Sequence, residues 1–107
     1  MRIIVQKFGG TSVATPGARE LVIKHALNRK NEGYQIVVVV SAMGRMGDPY
    51  ATDTLLSLLS GRKVEAREKD LLIFCGEIIS AAVIASLFQD KGYRAKAFTG
   101  FQAGIIT

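Results

Sequence analysis

The sequence predicts an α/β protein, a three-layer α/β/α sandwich in which a mainly parallel sheet lies between helices. Three observations carry that expectation. Segments of strand character alternate with segments of helical spacing in the order β, α, β, α, α, β, and parallel strands joined through helices bury both faces of their sheet. Ile36 to Val40 is a run of five β-branched residues, the pattern of a strand covered on both sides and so central in the sheet. The β-rich stretch from Arg2 to Phe8 passes through Gly9-Gly10 directly into a helix start.

Taken in order, the first strand ends at Gly9-Gly10, after which the Thr11 or Ser12 hydroxyl can accept a hydrogen bond from a free N–H of a first helical turn. Pro16 suits the start of a helix, where its missing N–H is harmless, and Leu21, Ile23, His25 and Leu27 give that helix a partly amphipathic character up to Gly33. The β-branched run then leads into Gly44-Arg45-Met46-Gly47-Asp48-Pro49, a loop dense in chain breakers. Thr52 to Leu59 returns to helical spacing through Leu55, Leu58 and Leu59. Arg62 to Asp70 alternates in charge, as a solvated connection or the first turns of a long helix that runs through Phe88 and stops near Gly92. Tyr93 to Phe98 reads as another strand, and Thr99 to Thr107 leads toward one more, which leaves the sheet incomplete at its C-terminal end.

Bulk properties exclude several classes of function. The 107 residues are 49% hydrophobic and 21% charged, which suits one globular domain and argues against disorder. The net charge of +5 is scattered without a dense basic run, and with no Trp and three Tyr the chain lacks the basic, aromatic surface of a nucleic-acid binder. Cys75 is the single cysteine, so no internal disulfide forms and a reducing cytoplasm is expected. The N-terminus has no signal-peptide pattern. Leu71 to Phe88 approaches the length of a membrane span, but Glu77 within it favours a helix buried in a soluble protein, with Glu77 facing a polar pocket. His25 stands without a second ligand for a metal, and Cys75 reads as a small core residue.

Lys7-Phe8-Gly9-Gly10-Thr11-Ser12 is the segment with the clearest chemistry. Glycines let a backbone approach a phosphate, N–H groups at a helix start point toward it, and Lys7 adds a positive charge. The same residues also make an ordinary turn, and they differ from the Walker A pattern, whose lysine follows the glycines. Glu77 is either a ligand-facing carboxylate or one half of a buried salt bridge. Thr52, like Thr11 and Ser12, is either a helix cap or a ligand-binding hydroxyl.

The run from Lys7 to Ser12 resembles the signature of aspartokinases, within the amino acid kinase superfamily. Val39-Val40-Ser41-Ala42-Met43-Gly44 is similar to that family's second glycine loop, and Cys75-Gly76-Glu77-Ile78-Ile79-Ser80 to its substrate-side helix. Thr99-Gly100 with Gln102-Ala103-Gly104 fits as well, whereas the loop from Arg45 to Ala51 resembles only one bacterial subgroup. The resemblance implies that residues 1–107 are the N-terminal portion of an amino acid kinase domain, with the rest of the kinase domain and the regulatory domains absent. It implies an aspartate kinase that transfers the γ-phosphoryl of ATP, bound with Mg²⁺, to the β-carboxylate of L-aspartate in lysine, threonine and methionine synthesis. Lys7 would be catalytic; Lys7, Phe8, Gly9, Gly10 and Ser41 would bind ATP; Thr52, Glu77, Thr11 and Ser12 would bind substrate; no residue would hold a resident metal. A homo-oligomer without nucleic-acid or membrane partners is expected, and the piece by itself is expected to be inactive. The alternatives are a non-catalytic piece that binds phosphate weakly or only self-associates, and another amino acid kinase.

Overall fold

A computed structural model of the protein describes residues 2–103. Strand β1 (Arg2–Phe8) is followed by a short 3₁₀ turn (Gly10–Val13), helix α1 (Pro16–Asn31), strand β2 (Tyr34–Val40), helix α2 (Thr52–Ser57) and helix α3 (Ala66–Asp90). β1 and β2 pair in parallel, in register from Arg2 opposite Tyr34 to Phe8 opposite Val40. Helix α1 supplies the crossover that a parallel pair requires.

The period of two along each strand decides which side chains meet the helices. Ile4, Gln6 and Phe8 of β1 and Ile36, Val38 and Val40 of β2 are half-buried on one face. Against that face, Val22 and Ile23 of α1, Ile84 of α3, Val13 and Met43 form the buried core. Helix α3 turns a stripe of small residues inward, with Gly76 and Ser80 buried one turn apart and Ile84 a turn further on. It is long and apolar enough to cross a membrane by length and composition, and that stripe packs it against α1, α2 and β2.

The parallel α/β arrangement agrees with the sequence, but the described residues supply helices to one face of the sheet only. Ile3 and Val5 are 62% and 64% exposed, and Val37 and Val39 are 46% and 43% exposed. The β-branched run of β2 is therefore covered on one side among the described residues. Among the described residues the sheet has two strands, β1 and β2, each with one neighbour. Tyr93 to Phe98 forms no strand. A strand needs a ladder partner for its backbone groups, and here the Ala95 carbonyl accepts instead from Gln89 Nε2 at 2.9 Å. Thr99 closes a turn with Gln102 through two reciprocal hydrogen bonds. The strand expected toward Thr107 lies outside the described residues.

Helix boundaries follow local chemistry. Thr15, not Thr11 or Ser12, caps α1, its Oγ1 accepting from the Ala18 N–H at 3.1 Å, with Pro16 in the first turn as the sequence suggests. Gly33 and Gly92, at φ +95° and +87°, end α1 and α3 in the left-handed conformation that glycine adopts without strain.

Candidate functional site

Parallel strands end on the same edge of their sheet, so the loops that follow β1 and β2 lie side by side. The Ser41 N–H donates to the Phe8 carbonyl at 3.2 Å, and the Gly44 N–H to the Gly10 carbonyl at 2.9 Å. The approach is too close for a side chain at Gly10, where a Cβ would stand 2.7 Å from the Ala42 carbonyl oxygen and 2.8 Å from that of Gly44. The two glycine segments of the sequence thus form one joined structure.

The breaker-rich stretch that follows is a built loop. Gly44 has φ +93°, and a Cβ there would run into the Asp48 carboxylate. Asp48 Oδ2 accepts from the Arg45 N–H at 2.8 Å, while the Asp48 N–H donates back to the Arg45 carbonyl at 2.9 Å. Gly47 donates its N–H to Thr54 Oγ1 at 3.0 Å, which pins the loop to α2. Gly76 brings α3 to the same place: a Cβ on it would stand 2.8 Å from Leu55 Cδ1, 3.1 Å from Ala42 Cβ and 3.4 Å from the Tyr50 carbonyl. Thr52, between Tyr50 and Leu55, and Glu77, next to Gly76, flank that contact.

Each expected site residue has a definite place. Lys7 is exposed on the open face of the sheet, opposite Val39. Phe8 packs its ring against the core, so only its backbone meets the loops. Gly9 is exposed, Gly10 and Ser41 are half-buried, and Thr11 and Ser12 are exposed on the short 3₁₀ turn. Neither hydroxyl caps that turn, which begins after Gly9 with no side-chain cap. Thr52 is the first helical residue of α2 and Ala51 stands at its cap position, so the capping alternative for Thr52 also falls.

Glu77 and Cys75 depart from expectation. Both are exposed, because α3 turns Gly76 inward and each flanking residue is rotated about 100° away. Glu77 takes part in none of the ion pairs among the described residues, so the buried salt bridge does not form, and it does not line a buried polar pocket. The described residues contain no group of three His, Cys, Asp or Glu placed to hold a metal ion.

One contributor has no signal in the sequence. Arg19, on α1, donates from Nη1 to the Val13 carbonyl at 2.9 Å and lies 3.5 Å from Met43 Sδ. With Met43, Asp48, Tyr50 and Val83 it lines a cleft of about 350 Å³ beside the loops. It stands among other charged residues of an ordinary helix, and only the tertiary structure carries it to the second loop.

Chemically, two abutting glycine-containing loops at the carboxyl ends of parallel strands, next to a lysine, suit a polyanion such as a chain of phosphates.

The chain is also similar to known proteins. The model of the amino acid kinase family matches residues 2–106. The whole chain is 56% identical to part of Aspartokinase 1 of Bacillus subtilis (strain 168), covering 27% of it. It is 42% identical to part of Aspartokinase of Geobacillus stearothermophilus, covering 26%. The chain therefore spans about a quarter of the length of these curated relatives. A crystal structure of aspartate kinase from Synechocystis superposes with a TM-score of 0.70 at 37% identity, over 83% of this chain and 15% of that one.

Proposed function

This chain belongs to the amino acid kinase family, and on that premise we propose that it provides the phosphate-binding part of an aspartate kinase. In the proposed reaction the β-carboxylate oxygen of L-aspartate attacks the γ-phosphorus of MgATP and the bond to the β-phosphate bridging oxygen breaks. The products are aspartyl phosphate and ADP, the acyl phosphate serving lysine, threonine and methionine synthesis in the cytoplasm. The observation that carries the reading is the joining of the Gly9-Gly10 and Ser41–Gly44 loops at the ends of two parallel strands. The identity with aspartokinases over the whole chain supports aspartate as the acceptor.

Phosphoryl transfer of this kind depends on holding the phosphates and offsetting their charge. Lys7 supplies the full charge. The backbone of Phe8, Gly9 and Gly10 and the hydroxyl of Ser41 serve the ATP phosphates, which Gly9 allows to approach because no atom stands where a Cβ would be. Thr11, Ser12 and Thr52 offer hydroxyls to the carboxylates of aspartate, and the exposed carboxylate of Glu77 answers its α-ammonium. Mg²⁺ arrives with ATP as part of the substrate. By itself the chain binds phosphate without turnover, and catalysis belongs to a homo-oligomer of the longer protein.

Calorimetric titration with MgATP is expected to give saturable binding that Lys7→Ala abolishes and Glu77→Ala retains. An unchanged isotherm in Lys7→Ala removes Lys7 from the phosphate site. The acceptor is tested in a chimera in which this chain replaces the matching segment of Bacillus subtilis Aspartokinase 1. Acyl phosphate trapped with hydroxylamine is expected from aspartate and not from glutamate; a folded chimera that prefers another acid overturns the assignment.

A further inference from the structure

We propose that Arg19 is a positioning residue that fixes the two glycine loops relative to each other and so sets the shape of the phosphate site. The inference rests on the phosphate-binding reading above, but its geometry stands on its own. The first loop ends in the 3₁₀ turn at Val13, which is fully buried, and the guanidinium donates to that residue's carbonyl at 2.9 Å. The same nitrogen lies 3.5 Å from Met43 Sδ, and Met43, 8% exposed, belongs to the second loop. One planar group on α1 thereby touches both loops.

Among the described residues two backbone hydrogen bonds join those loops, Ser41 N–H to the Phe8 carbonyl and Gly44 N–H to the Gly10 carbonyl. The Ser41 bond continues the ladder of the two strands, and the Gly44 bond ties the loops beyond it. A further tie through Val13, Arg19 and Met43 limits the movement of one loop against the other. Arg19 takes part in none of the ion pairs among the described residues, so these two contacts account for its placement better than charge pairing does. A rigid guanidinium suits the task, whereas the compact ammonium of lysine does not present the same fixed fork.

The test uses the full chain and three variants. Arg19→Met keeps an apolar stem and removes the donor, and Arg19→Lys keeps the charge. Leu27→Ala loosens the core about two turns further along α1 and leaves the Arg19 guanidinium in place. The first readout needs no ligand: hydrogen exchange at the Gly44 amide, compared with the amides of Ile36 to Val40. Loss of the brace in Arg19→Met is expected to speed Gly44 exchange about tenfold or more while β2 keeps its protection. MgATP affinity is expected to fall by about tenfold, since positioning errors act directly on a phosphate site. Arg19→Lys is expected to recover part of both, and Leu27→Ala to lower the thermal midpoint with no selective change at Gly44. Unchanged Gly44 exchange in Arg19→Met overturns the proposal, as does a change shared equally by Leu27→Ala. Should Arg19→Met fail to fold, the selective loss is read in Arg19→Lys, and its absence there is equally decisive. If wild type binds no MgATP, the phosphate reading fails, and the brace is judged on Gly44 exchange alone.

Discussion

Gly9 and Gly10 are adjacent and identical in the sequence, yet the fold uses them in different ways. Gly10 permits contact between loops, for its missing Cβ leaves room for two carbonyl oxygens. Gly9 has an ordinary extended backbone at φ −76° and nothing within 4 Å of a Cβ position. Gly10→Ala is therefore expected to destabilise the chain by about 1–3 kcal/mol, as overpacking does, read as a lower urea midpoint. Gly9→Ala is expected to change stability by less than about 0.5 kcal/mol while weakening MgATP binding, because the added methyl stands where a phosphate would approach. Equal losses of stability in both variants would sink this division of labour. The turn signal at Phe8-Gly9-Gly10 was legible from residue type and spacing. Which glycine serves the fold was not, since that depends on the Ala42 and Gly44 carbonyls more than thirty positions away.

At the scale of elements, local signals worked where the deciding contacts are local. Pro16, Gly33 and Gly92 mark helix ends because proline lacks an N–H and glycine adopts positive φ. The cap of α1 was misplaced by a few residues, since Thr11, Ser12 and Thr15 all offer a hydroxyl and a 3₁₀ turn intervenes. Thr15→Ala is expected to cost about 1 kcal/mol through loss of the hydrogen bond to the Ala18 N–H, checked by chemical denaturation, whereas Ser12→Ala is expected to leave stability almost unchanged. The segment from Tyr93 to Phe98 reads as a strand in sequence but has no ladder partner among the described residues, and pairing is not encoded by a segment alone. In α3 the apolar length was plain from the sequence. Its inward stripe of Gly76, Ser80 and Ile84 was not, because nearly all sides of the helix are apolar and the period carries little contrast.

For the molecule as a whole, the sheet has one face packed against helices and one bearing exposed Ile3, Val5, Val37 and Val39. An apolar sheet face of this kind offers a ready surface to hydrophobic dyes. The folded chain is expected to enhance the fluorescence of an anilinonaphthalene dye, and the combined change of Ile3, Val5, Val37 and Val39 to Thr is expected to reduce that signal with the helical circular dichroism retained. Undiminished fluorescence in a folded variant would place the dye elsewhere, for which Leu71 and Phe74 on α3 are the next candidates.

By itself the sequence determined the α/β class, the order of the first elements, the parallel pairing and the glycine segments, because hydrophobic period, chain breakers and turn residues act over a few positions. The wording of those segments also carried the resemblance to a kinase family, which the family match bears out. Only the tertiary structure decided that Gly10 meets Gly44, that Gly76 seats α3 on Ala42, that Glu77 is exposed and that Arg19 reaches both loops. Each of these depends on which residues from distant parts of the chain share one space, and close packing makes that choice through shape and hydrogen-bond geometry rather than through local pattern.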